Sequence, residues 1–181
     1  MFKYQVIFYV IITFIPFYLY AENIEIKCDF KDNNIDFSVS TTFQERLSKA
    51  FSGDERSNVE IAKEIGISKD VFIRALKAGL IPSTRTLIKI ADHLEASIDY
   101  LLGLSDDNPQ RKTLDDVSFL ERLEELRILT NKKYGAIASA VGISRSQFNL
   151  WKQKNYIPSL EICYQLALYF NVTIDYLLAR E

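Results

Sequence analysis

Ile137-Ala138-Ser139-Ala140-Val141-Gly142-Ile143-Ser144-Arg145-Ser146-Gln147-Phe148-Asn149-Leu150-Trp151 is the stretch whose reading decides the fold. Ile137, Ala138 and Val141 recur at the spacing of one helix face, and Phe148 and Trp151 do the same on a second helix. Between them Gly142 allows the left-handed conformation that ends a helix abruptly. Ile143 turns inward, and the side-chain oxygen of Ser144 is placed to cap the next helix. Ala138, four residues before the glycine, is small where the two helices must approach closely. The pattern predicts helix, tight turn, helix.

The same signal occurs once more, 76 residues upstream. Shifting the chain by that amount aligns 43–103 with 119–179 without a gap and gives 19 identities over 61 positions. They cluster as Phe-x-Glu-Arg-Leu (from Phe43 and Phe119), Ile-Ala (Ile61, Ile137), Gly-Ile-Ser (Gly66, Gly142), Ile-Pro-Ser (Ile81, Ile157) and Ile-Asp-Tyr-Leu-Leu (Ile98, Ile174). In the second copy Phe119, Leu123 and Leu126 recur at helical spacing, and so do Leu160, Cys163, Leu166, Ala167 and Phe170. Neither copy holds an alternating β-branched run. Pro82 and Pro158 fall in loops just before a serine expected to cap the following helix. Each copy is therefore expected to be all-α, built of five short helices.

With 181 residues and 48% apolar content the chain can bury one ordinary core or two small ones. A net charge of −2 and a pI near 5.6 exclude a protein that holds nucleic acid by bulk positive charge. Any nucleic-acid contact must be local. Phe43 to Gly103 carries nine basic and nine acidic residues, whereas Phe119 to Glu181 carries eight and six, so the second copy is the electrostatically better reader. Cys28 and Cys163 lie far apart, and Cys163 falls on an apolar helix face, as a buried free thiol would.

Arg-Leu near the start of each copy, Ile-Ala-x-x-x-Gly-Ile-Ser, Ile-Pro-Ser and the closing Ile-Asp-Tyr-Leu-Leu together resemble the Cro and lambda-repressor-like family, also called XRE, over nearly all of Phe43 to Glu181. The second copy is the closer match, with Trp151 in the place of the tryptophan common at the end of that family's recognition helix. The first departs from it, with Ala75 at that position and Gly53 to Asn58 reading as extra polar sequence between its first two helices. The resemblance implies two tandem five-helix lambda-repressor-like DNA-binding domains and a sequence-specific transcriptional regulator, a repressor, acting on double-stranded DNA. It places the recognition helix in the major groove.

On that resemblance the base-contacting residues are Arg145, Ser146, Asn149 and Leu150 in the second copy, and Lys69, Asp70, Ile73 and Arg74 in the first. Arg145 suits guanine, Asn149 adenine and Leu150 a thymine methyl, while the carboxylate of Asp70 is repelled by phosphates unless it accepts from a cytosine amine. Phosphate contacts are expected from Asn58, Lys77, Lys133, Tyr134, Ser144, Lys152 and Lys154. Phe72, Phe148 and Trp151 are expected in the core and not as stacking platforms.

The domain boundaries read as 1–42, 43–103, a linker at 104–118 and 119–181. The linker contains Ser-Asp-Asp-Asn-Pro-Gln, an exposed, turn-rich connector. Fifteen residues reach at most about 50 Å, enough to seat two units on successive major grooves about 34 Å apart. A homodimer, which is the family's usual mode, and an intramolecular pseudo-dimer both stay open.

Met1 to Ala21 holds a nearly unbroken apolar run, Val6 to Tyr20, preceded by Lys3 and followed by the small residue Ala21. On its face this is a secretory signal, too short and too interrupted by Pro16 for a spanning helix of about 20 residues. Export would separate the helix-turn-helix units from the chromosome. Three readings stand: an extension translated in frame from AT-rich DNA, with the working chain beginning near Val39 to Phe43; a regulator tethered to the membrane through residues 6–20; and an exported protein. The first is preferred, with action in the cytoplasm at the nucleoid.

An enzyme is not expected. His93 is the single histidine, and the sequence offers no phosphate-cradling glycine loop, metal-ligand cluster or nucleophile with a base, so no cofactor or metal is expected. The rival reading is a helix-turn-helix interaction module, antitoxin-like or an assembly protein, that binds a protein partner and has little hold on DNA.

Overall fold

The computed structural model describes residues 36–154 and 156–181, the side chains of residues 145 and 152–154 excepted. The apolar run at 6–20 and Cys28 lie outside the described residues. Among the described residues the fold is all-helical, and no helix is long and apolar enough to cross a membrane.

Among the described residues ten helices follow one another: α1 (Thr41–Ala50), α2 (Asn58–Ile65), α3 (Lys69–Ala78), α4 (Thr84–His93), α5 (Ile98–Leu101), α6 (Phe119–Leu129), α7 (Tyr134–Ala140), α8 (Arg145–Lys154), α9 (Leu160–Phe170) and α10 (Ile174–Leu177). Most start at a hydroxyl. Ser40, Ser57, Ser68, Ser97, Ser118 and Thr173 each accept a bond from a first-turn N–H, and Ser57 and Ser118 complete capping boxes with Glu60 and Glu121. Ser83 and Ser159 hold N-cap positions, but neither side chain caps as the sequence led us to expect; the Ser83 hydroxyl pairs with that of Thr86. The buried side chains of all ten helices join in one continuous cluster, with Cys163 fully inside it and its thiol pushed up to about 12 by burial.

Two sequence boundaries move. The helical register was expected to begin at Phe43, yet the preceding residues are built into the fold. Ser40 N donates to Gly79 O, Ile81 N donates to Ser38 O, and the buried Phe37 ring meets Tyr164 edge-on at 5.4 Å. A chain beginning at Val39 would lose the Ser38 and Phe37 contacts, and one beginning at Phe43 would lose all three. The stretch Gly53 to Asn58 is also no insertion, because the two copies align without a gap. α1 stops at Ala50, where Ser52, Gly53 and Asp54 favour a turn, whereas α6 runs on to Leu129, the counterpart of Gly53.

Residues 104–118 are exposed at Asp106 to Gln110, yet they do not swing free. Arg111 N donates to Glu95 O, Lys112 and Glu181 exchange a pair of backbone bonds, and Leu114 N donates to Ala179 O. Arg180, 0% exposed, ties the strap down. Its guanidinium donates to the carboxylates of Asp92 and Asp175 and to the carbonyls of Ala96 and Arg111.

Candidate nucleic-acid interface

The α7–α8 corner is built as its sequence suggests. α7 ends at Val141, Gly142 takes φ +69°, and Ile143 N folds back to Ala138 O at 2.9 Å. Ser144 then starts α8 with a reciprocal cap: its Oγ accepts from Gln147 N at 3.3 Å, and its own N–H donates to Gln147 Oε1 at 2.7 Å. The rotation of α8 about its axis is set by two buried rings. Phe148 and Trp151 meet at 4.9 Å, and Trp151 also contacts Phe119 at 5.9 Å. With that face pinned, Ser146, Asn149 and Leu150 are exposed, Leu150 by 43% although it is apolar. Arg145 is the first residue of α8, and Lys152 and Lys154 lie in its last turn.

The α2–α3 corner repeats this geometry with different chemistry. Gly66 takes φ +73°, Ile67 N donates to Ala62 O at 2.9 Å, and Ser68 caps α3 by accepting from Val71 N. Phe72 and Ala75 are buried, and the ring partner of Phe72 is Phe51, at 5.1 Å. Lys69, Asp70 and Arg74 are exposed, whereas Ile73 is half-buried and offers less to a ligand than its sequence position suggests. Arg74 turns its Nε back onto the Asp70 carbonyl at 3.3 Å.

Charge separates the two corners. Around the start of α2, Asn58 is half-buried and its neighbours are Ser57, Glu60 and an Arg56 already shared between Asp54 and Glu64. The hydrogen bonds from Arg56 hold the Asp54 carboxyl down to about 2, so this carboxylate stays charged. The first turn of α7 has no acidic residue, and exposed Lys132 and Lys133 precede it. Not every nominated phosphate contact is at liberty. The Tyr134 hydroxyl is bonded to Glu124 with Arg127 over its ring, and Ser144 and Ser146 share a hydroxyl contact at 2.8 Å. Lys77 is exposed on the last turn of α3.

Sequence reasoning missed Asp99, Asp175 and Arg180. The aspartate common to both Ile-Asp-Tyr-Leu-Leu stretches was the available signal, but an aspartate in the first turn of a short helix reads locally as an ordinary exposed residue.

Two helices joined by a left-handed glycine turn, the second capped by serine and pinned by aromatics, define a helix-turn-helix domain. Residues 120–181 match the family described as a helix-turn-helix domain. The chain is also 30% identical over 95 residues to the cryptic phage CTXphi transcriptional repressor RstR of Vibrio cholerae serotype O1, a match covering 52% of this chain and 80% of that protein. The chain belongs to the XRE-type helix-turn-helix family. No solved structure matches it.

Proposed function

We propose that this chain is a sequence-specific DNA-binding transcriptional regulator, a repressor, that inserts α8 into the major groove. The observation that carries the reading is the exposed face of α8, with Ser146, Asn149 and an unburied Leu150 opposite the pinned Phe148 and Trp151. In this reading Arg145 forks onto guanine, Asn149 pairs with adenine, Leu150 meets a thymine methyl, and Ser146 lies at the base edges beside them. Lys133, Tyr134, Ser144, Lys152 and Lys154 line the phosphates on either side. The similarity to a phage transcriptional repressor supports the same reading.

The first five helices form a second, weaker helix-turn-helix unit. Lys69, Asp70, Ile73 and Arg74 take the corresponding base-facing places and Asn58 and Lys77 the phosphate places, weakened by Asp70 and by the acidic surround of α2. The protein needs no cofactor, performs no catalysis and acts in the cytoplasm at the nucleoid. The charge balance of the first unit also favours a rival reading, in which that unit binds a protein partner and DNA is secondary.

The test is binding of the full chain to a random duplex pool and to the DNA upstream of its own coding sequence, across a salt series. A specific regulator selects a sequence, and log affinity falls linearly with log salt, by about 0.9 per phosphate neutralised. No selection and weak binding only at low salt would make the interaction module the better account.

A further inference from the structure

The closing helices of the two copies, α5 and α10, are joined by contacts that are their own mirror in sequence. The Asp99 carboxylate accepts from Ile174 N at 3.1 Å and from Asp175 N at 3.0 Å. The Asp175 carboxylate accepts from Ile98 N at 3.1 Å and from Asp99 N at 3.4 Å. Replacing every residue in the first pair of bonds by its counterpart 76 positions away yields the second pair. Such reciprocity, residue i on j and j on i, is the mark of a two-fold contact between like surfaces. A second contact brings counterpart loops together, although its one bond is not reciprocated, Leu160 standing where Thr84 donates. The loops Ile81-Pro82-Ser83 and Ile157-Pro158-Ser159 line one groove of about 620 Å³, bridged by a buried bond from Thr84 Oγ1 to Pro158 O at 2.8 Å.

Those loops come after α3 and α8 in the chain, and both line the same groove. A two-fold rotation leaves directions along its axis unchanged. If the relation at the α5–α10 contact extends through both copies, whatever part of the exposed α8 face points along its axis is matched by α3 pointing the same way, as the two half-sites of a DNA dyad require. The Arg180-anchored strap described above fixes this arrangement, and the like surfaces are already covered within one chain. The α5–α10 contact is reciprocal, but the chemistry of the two second helices is not: α3 offers Lys69, Asp70 and Arg74 where α8 offers Arg145, Ser146 and Leu150.

We infer that a single chain is the complete DNA-binding unit, with α3 and α8 taking two major-groove segments of a bipartite site whose halves differ in sequence. This rests on the DNA-binding reading given above. The second half-site, under α8, supplies most of the specificity, and the first sets its neighbour at a fixed spacing.

The test uses the full chain on a duplex selected from a random pool, with native mass spectrometry for stoichiometry and hydroxyl-radical footprinting for placement. The expected result is one chain per duplex and two protected segments of unlike sequence, centred about one helical turn, roughly 10 base pairs, apart. The exposed double variant Lys69→Ala/Arg74→Ala, its fold checked by circular dichroism, should lose protection over one segment only. Two chains on an inverted repeat, or one protected segment indifferent to the double variant, would overturn the inference while leaving DNA binding intact. Failure to bind any duplex would instead bring down the DNA-binding reading and this inference with it.

Discussion

At the scale of single residues, the glycines show how much of the corner is conformational. Gly142 takes φ +69° with nothing within 4 Å of where a Cβ would stand, so Gly142→Ala carries only the left-handed penalty. We expect a loss of about 1 kcal/mol and a melting temperature lower by about 2–4 °C. Gly79, at φ +62°, differs: its added Cβ would collide with the carbonyl of Ser40 and crowd Gln44. Gly79→Ala should therefore cost distinctly more in the same thermal melts. Gly142 was legible from sequence because a left-handed turn between two periodic apolar faces has one local meaning. The demand on Gly79 was not, because it is set by the strand-like segment 38–40 laid against it from a distance.

At the scale of elements, the two shortest helices carry the most consequential bonds. α5 and α10 cap one another through Asp99 and Asp175, and Asp175 also balances Arg180 in the interior. Asp175→Ala would leave the fully buried Arg180 guanidinium with Asp92 as its remaining carboxylate, and we expect a loss of about 3 kcal/mol, the low end for breaking a buried pair, in denaturant unfolding. Asp175→Asn, which keeps an acceptor for the Ile98 N–H, should lose less. Burial, with the charge of Asp175 second, pushes the Asp99 carboxyl up from 3.8 to about 7. Its folded value lies above its unfolded one, so the stability it contributes is full below about pH 4 and is lost as pH rises through about 7. Unfolding free energy measured from pH 5 to pH 8 should fall by up to about 1.4 kcal/mol per pH unit on this account, and Asp99→Asn should flatten the slope. The four longer helices of the second copy have apolar faces that their sequence spacing announced. Which polar groups would meet across the repeat was not announced, since a local pattern holds no record of its distant partner.

At the scale of the whole molecule, the repeat was legible as a 76-residue offset, but its consequence was not. Fifteen linker residues are compatible with two units swinging independently, and nothing local in Ser105 to Ser118 forbids it. The folded chain instead holds 111–114 against Glu95, Ala179 and Glu181, and Arg180 closes the junction. The difference in charge between the halves was legible by counting residues; in the folded chain Arg74 turns onto the Asp70 carbonyl and Ile73 is half-buried, whereas Asn149 and Leu150 are exposed. Under the proposed function, DNA is read chiefly through α8. The measurement that tests it most directly compares the affinities of the full chain, Arg145→Ala and Lys69→Ala for one selected duplex at fixed salt. Loss of a forked guanine contact is worth about 1–3 kcal/mol, so Arg145→Ala should weaken binding by about 5- to 150-fold and Lys69→Ala by far less. Equal losses, or an Arg145→Ala protein that binds as the parent does, would contradict it.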